Sequence, residues 1–93
     1  MHNNIRIHLF ISGRVQGVFF RSNSCEKAVS LGLRGFVKNL DDGRVEIVAE
    51  GEKENIGELV EFCKKGSLIA KVGDLEIRYE KVKDEFKEFK IEY

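Results

Sequence analysis

Hydrophobic and polar positions alternate with a period of two at the start of the chain. Ile5, Ile7, Leu9 and Ile11 fall on one face and Arg6, His8 and Phe10 on the other, which predicts a strand over about Ile5–Ser12 after a frayed Met1–Asn4. The period then lengthens. Cys25, Ala28 and Val29 form one apolar stripe, which predicts a helix from near Arg21 to Leu31. Asn23 and Glu26 have capping-box spacing, Ser22 is an equal candidate for the cap, and Gly32 suits a left-handed stop. Alternation resumes over about Arg34–Leu40 and again over Arg44–Glu50, where Val45, Ile47 and Ala49 oppose Glu46, Val48 and Glu50. Asp41-Asp42-Gly43 between these runs is a strong hairpin signal and pins the register of Asn39 at the end of the second strand.

Gly51 closes the hairpin, and a second helix begins near Glu52. Ile56, Leu59, Val60 and Cys63 follow i, i+3, i+4, i+7 spacing, Glu52 and Glu54 suit its first turn, and Lys64, Lys65 and Gly66 suit its end. A linker over Ser67–Gly73 leads to a strand in which Leu75, Ile77 and Tyr79 alternate with Glu76, Arg78 and Glu80. Lys81–Glu85 reads as a charged loop, and a last strand turns Phe89, Ile91 and Tyr93 inward. The order β-α-β-β-α-β plus a terminal strand predicts an α+β, ferredoxin-like sandwich: a mostly antiparallel sheet with both helices on one face. With 93 residues and no internal repeat, one domain over 1–93 is expected.

Charge sharpens this picture. Sixteen basic and sixteen acidic residues cancel, which is poor support for a general nucleic-acid binder. The distribution is uneven, however: residues 1–25 carry three arginines and no acid. The positive field therefore falls on the junction of first strand and first helix, Ile11-Ser12-Gly13-Arg14-Val15-Gln16-Gly17-Val18-Phe19-Phe20-Arg21. A glycine-bearing turn at a helix start gathers backbone N–H groups into one concavity, and the helix dipole adds partial positive charge. Arg21 adds a planar fork of donors suited to a phosphate or carboxylate. The junction is thus read as an anion cradle. It is no Walker loop, since no Gly-Lys-Ser/Thr closes it, and its glycine spacing is wrong for a dinucleotide fingerprint.

Cys25 and Cys63 lack metal-ligand spacing and read as free thiols on helix stripes, with a bridge left open if the helices lie side by side. No signal peptide or membrane-spanning run is seen, so the expected location is the cytoplasm. His8 reads as a surface histidine, Arg14 as a rim charge, Asp41 and Asp42 as turn formers, and Phe19 and Phe20 as core anchors beside the cradle.

Ile11–Arg21 resembles the first signature of the acylphosphatases, an aliphatic residue followed by G-x-V-Q-G-V-x-F-R. Gly35-Phe36-Val37-Lys38-Asn39, with Gly43, Val45 and Gly51, resembles their second. With Phe89-Lys90-Ile91 the resemblance covers essentially the whole chain. The sequence departs at Gly66-Ser67-Leu68-Ile69-Ala70-Lys71-Val72, where the family often carries Gly-Pro-Pro-x-Ala-x-Val, and at Phe36, where tryptophan is common.

The resemblance implies a ferredoxin-like fold and metal-free, cofactor-free hydrolysis of acyl phosphates to carboxylate and phosphate. It implies that the backbone N–H groups of Val15, Gln16, Gly17, Val18, Phe19 and Phe20 hold the phosphoryl oxygens. Arg21 would clamp the same group and Asn39 would orient the attacking water. The expected partner is a small acyl phosphate, with phosphate or sulfate able to occupy the cradle. Neither nucleic acid nor membrane is expected to bind, and a monomer is expected. The alternative is a non-catalytic anion-binding regulatory module on the same fold, against which stands the pairing of Arg21 with Asn39. An RNA-binding reading lacks both positive charge and a clear aromatic pair on two central strands.

Overall fold

The computed structural model describes residues 3–66 and 71–93. Five strands and two helices follow in the order β1 (Asn4–Arg14), α1 (Phe20–Ser30), β2 (Arg34–Asn39), β3 (Val45–Glu52), α2 (Lys53–Lys65), β4 (Lys71–Glu80) and β5 (Phe89–Glu92). The sheet order is β4-β1-β3-β2-β5. The β1–β3, β1–β4 and β2–β3 pairs are antiparallel, and β5 adds to β2 in parallel. This is the expected ferredoxin-like sandwich with an extra C-terminal strand.

The core follows the alternation. Ile7, Leu9 and Ile11 of β1, Val37 of β2, and Val45, Ile47 and Ala49 of β3 are all fully buried. They pack with Phe20 and Ala28 of α1 and with Ile56, Leu59, Val60 and Cys63 of α2 in one cluster. Both cysteines are free, and burial pushes the Cys63 thiol up to about 12.

Several boundaries and faces differ from expectation. Asn3 and Asn4 are tied down rather than frayed: Asn4 pairs with Glu52, and the Lys53 N–H donates to the Asn3 carbonyl, while Met1 and His2 lie outside the described residues. Strand β4 begins at Lys71, inside the expected linker, because a bulge between Ser12 and Gly13 carries β1 on to pair Gly13 with Val72 and Arg14 with Lys71. Gly13 permits this approach; at φ 120° a Cβ there would stand 2.3 Å from the Lys71 carbonyl oxygen. The remainder of the expected linker, residues 67–70, where the family often carries prolines, lies outside the described residues.

The apolar stripe expected on α1 includes Val29, which is exposed; the buried stripe is Phe20, Ser24 and Ala28, spaced i, i+4, i+8 from the core anchor Phe20. Tyr79 is exposed on edge strand β4, and Tyr93, expected to face inward, is 92% exposed beyond the end of β5. On β3, Val48 and Glu50 are buried although they face away from the helices. Residues 81–88 account for Glu50, because the Lys83 N–H donates to its carboxylate. Arg6 donates to the same Glu50 oxygen from β1 at 2.9 Å, and Glu80 and Glu85 pair with Arg6 as well. His8 is half-buried on that face rather than simply at the surface. Its Nε2 lies 2.6 Å from a Glu46 oxygen, and its ring stacks on Phe10.

Candidate active site

Strand β1 delivers the chain into the loop that precedes α1. Val15 and Phe20, each about 1% exposed, pin the two ends of this loop in the core. The Val15 N–H turns back to the Gly13 carbonyl at 3.0 Å. The N–H groups of Gln16, Gly17, Val18, Phe19 and Phe20 have no hydrogen-bond partner among the described residues. Gly17 and Phe19 both adopt left-handed backbone, with φ 72° and 62°, which turns successive N–H groups toward one concavity.

The start of α1 differs from the expected capping box. Phe19 occupies the cap position, and among the described residues no side chain caps it, so neither Ser22 nor Asn23 caps the helix. No acidic residue lies in that turn either. The positive end of α1 is thus left to the loop, an arrangement suited to an external anion.

Arg21 projects from the first turn of α1. Its guanidinium carbon lies 5.0 Å from the ring centre of Tyr93. Among the described residues no carboxylate pairs with it. Asn39 ends β2 opposite Val45, where the hairpin turn fixes it: Leu40 N–H donates to the Arg44 carbonyl and Gly43 N–H to the Leu40 carbonyl. Asp42 accepts from the backbone N–H and from the guanidinium of Arg44, which holds its carboxyl below the usual range and makes it a turn former. Asn39 Oδ1 is buried and accepts no hydrogen bond among the described residues. That is a costly state for an amide oxygen unless something fills it.

These parts meet in one cavity of about 270 Å³. Val15, Gly17, Phe19 and Phe20 line one side with Arg21; Asn39, Ile91 and Tyr93 line the other. Arg14 is exposed at the edge of the loop and does not line it. Phe20 is the core anchor expected of it, whereas Phe19, expected to be one too, is 73% exposed. A direct link joins the two sides of the cavity. Gln16 does that with its side chain, whose Nε2 donates to the Leu40 carbonyl at 2.8 Å and to the Arg44 carbonyl at 2.9 Å. Only its backbone had been singled out from the sequence. The signal was a lone long amide in an otherwise apolar and glycine loop.

The acylphosphatase family profile matches residues 7–91. The chain belongs to the acylphosphatase family. The Methylococcus capsulatus acylphosphatase is 46% identical over 86 residues, covering 92% of this chain and 94% of that one. The Haloarcula marismortui acylphosphatase is 52% identical over 75 residues, covering 81% and 82%. The crystal structure of acylphosphatase from Bacillus subtilis superposes with a TM-score of 0.92 at 39% identity, over 96% of this chain and 99% of that one. The same fold recurs within full-length HypF, solved in a phosphate- and nucleotide-bound form, with a TM-score of 0.89 and 32% identity; it covers all of this chain but 12% of HypF. The two segments that resemble the family's signatures, the loop before α1 and the end of β2, meet at this cavity.

Proposed function

We propose that this acylphosphatase-family enzyme hydrolyses acyl phosphates without a metal, and that the cavity divides the work between its two sides. The amides of Gln16 to Phe20, with the positive end of α1 and Arg21, hold the phosphoryl oxygens. Val15, whose N–H is engaged by Gly13, anchors the loop. Asn39 orients water. The observation that carries this reading is the meeting at one cavity of amides, an arginine and an amide oxygen that have, among the described residues, no hydrogen-bond or carboxylate partner.

The chemistry asks for little more. Water attacks phosphorus, the bond from phosphorus to the acyl oxygen breaks, and carboxylate and inorganic phosphate leave. A carboxylate is a weak base, so it departs without a general acid. Charge in the transition state spreads over the equatorial phosphoryl oxygens, where positioned donors act best. Asn39 Oδ1 accepts a hydrogen bond from the water and so aims an oxygen lone pair at phosphorus, while its amide N–H₂ remains a donor. Bound in the same cradle, inorganic phosphate is a competitive inhibitor.

The assay is release of phosphate from an aryl acyl phosphate, with a phosphomonoester as control. Hydrolysis of the first alone, undiminished by excess EDTA, is expected. Loss of activity on chelation, restored by a divalent cation, would overturn the metal-independent reading.

A further inference from the structure

The strand order β4-β1-β3-β2-β5 puts β4 and β5 at opposite edges of the sheet. Residues 81–88 join them, and so cross the face that points away from the helices, over β1, β3 and β2. Four strand spacings of ~4.8 Å make a crossing of about 19 Å. The segment reaches about 30 Å at full stretch, at ~3.3 Å per residue, so it has little slack.

The crossing follows a row of charges set by strand register. Glu80 of β4 pairs with Arg6 of β1, Arg6 with Glu50 of β3, and Glu50 with Arg34 of β2. Signs alternate across four strands, and residues 81–88 grip the row from outside. The Lys83 N–H donates to Glu50 at 2.9 Å, Asp84 pairs with Arg34 at 3.2 Å, and Glu85 pairs with Arg6 at 2.7 Å. Phe86 then packs edge-on against Phe36 of β2, and the Gly35 N–H donates to the Glu88 carbonyl. Asp84 adopts left-handed backbone at φ 53°, uncommon outside glycine. Glu50, in the middle of the row, is fully buried. A buried charge is a poor source of stability, and its best-attested use is to fix register.

What register fixes here is β5. That strand has four residues, lies at the sheet edge and pairs with β2 alone. It carries Ile91 and Tyr93 to the cavity, and the Tyr93 ring centre lies 5.0 Å from the guanidinium carbon of Arg21. We propose that Glu50 is a positioning residue for Arg21: it seats residues 81–88, which set the place of β5 and hence of the Tyr93 ring that steadies the guanidinium. Glu50 acts from the opposite face of the sheet and touches nothing in the cavity. The proposal rests on the reading of this cavity as the phosphoryl site.

The test pairs calorimetric binding of inorganic phosphate with the nuclear magnetic resonance of the Arg21 Nε–H, which the Tyr93 ring current shifts. Glu50→Gln, folded by circular dichroism, should bind phosphate about ten-fold more weakly, the size of one charge-assisted hydrogen bond. Its Arg21 resonance should move toward the position found in Tyr93→Ala. The double variant should bind phosphate no more weakly than Tyr93→Ala, because both changes act through one ring. Ile56→Val, which loosens the core under α2, should move neither readout. An unmoved Arg21 resonance in Glu50→Gln, or losses of affinity that add in the double variant, overturns the proposal. If Glu50→Gln does not fold, two glycines inserted between Lys87 and Glu88 keep Glu50 seated and give the segment slack. The same resonance shift is then expected, and its absence overturns the proposal. If wild type neither binds phosphate nor hydrolyses an acyl phosphate, the reading of the cavity fails alone, since the Arg21 resonance reports its seating without either.

Discussion

Arg21 was legible from sequence because its chemistry is local: a fork of donors in the first turn of a helix whose start lacks acids. The structure adds that it faces Tyr93 and has no carboxylate partner among the described residues. Arg21→Lys keeps the charge but loses the fork, so kcat/KM for an acyl phosphate should fall by about 10²–10³, with the protein still folded by circular dichroism. Near-wild-type turnover would remove Arg21 from the phosphoryl clamp. Phe19 was not legible, because nothing in a sequence tells an inward phenylalanine from an outward one when backbone turns left-handed between them. Its conformation has its own consequence for stability. Phe19→Gly relieves the left-handed cost while giving up little buried surface, so urea denaturation should show it unchanged to about 1 kcal/mol more stable. Destabilisation beyond 1 kcal/mol, on the same scale, would mean that the ring is a packing residue after all.

At the scale of elements, the hairpin and both helices were readable from Asp-Gly, from glycine stops and from the spacing of Ile56, Leu59, Val60 and Cys63. The cap of α1 was not. Capping-box spacing is a local pattern, and here, among the described residues, no side chain caps the helix, so the local rule loses to the site. The strand-to-helix loop and the β2–β3 hairpin are joined by Gln16, which donates to two hairpin carbonyls at once. Gln16→Glu replaces the donor with an acceptor that faces both carbonyls. It should cost about 1–3 kcal/mol by urea denaturation and lower kcat more than it raises the phosphate inhibition constant, since Asn39 and the cradle lose their mutual register. If Gln16→Glu changes stability but not kcat, the stitch serves folding alone.

Across the whole molecule, alternation located the inner face of the sheet but treated the outer face as solvent. Glu50 shows why that fails: its partners are Arg6, directly opposite on the neighbouring strand β1 but 44 residues away in sequence, and the Lys83 N–H of a loop that lies over the sheet, a path no local pattern contains. Burial alone would raise the Glu50 carboxyl, but the Lys83 N–H and Arg6 outweigh it and hold it below its usual value; Arg6 likewise holds Glu80 low. Both carboxylates therefore contribute stability that is present above the unfolded value of 4.5 and is lost as pH falls below it toward their folded values. Arg6 is raised and stays charged throughout this window. Urea denaturation should give a midpoint that is flat at neutral pH and falls below about pH 4.5. Glu50→Gln should flatten that acid limb and cost about 2–3 kcal/mol at neutral pH. An acid limb unchanged in Glu50→Gln would place the sensitivity elsewhere.

In the proposed division of labour the loop before α1 holds phosphate, and Asn39, on a different element, directs water. Asn39→Ala separates the two. Steady-state hydrolysis of an aryl acyl phosphate and competitive inhibition by inorganic phosphate, measured on the same folded variant, should show kcat lowered about 10²-fold or more and the phosphate inhibition constant within a few-fold of wild type. An undiminished kcat with a collapsed phosphate affinity would make Asn39 a binding residue and contradict the division of labour.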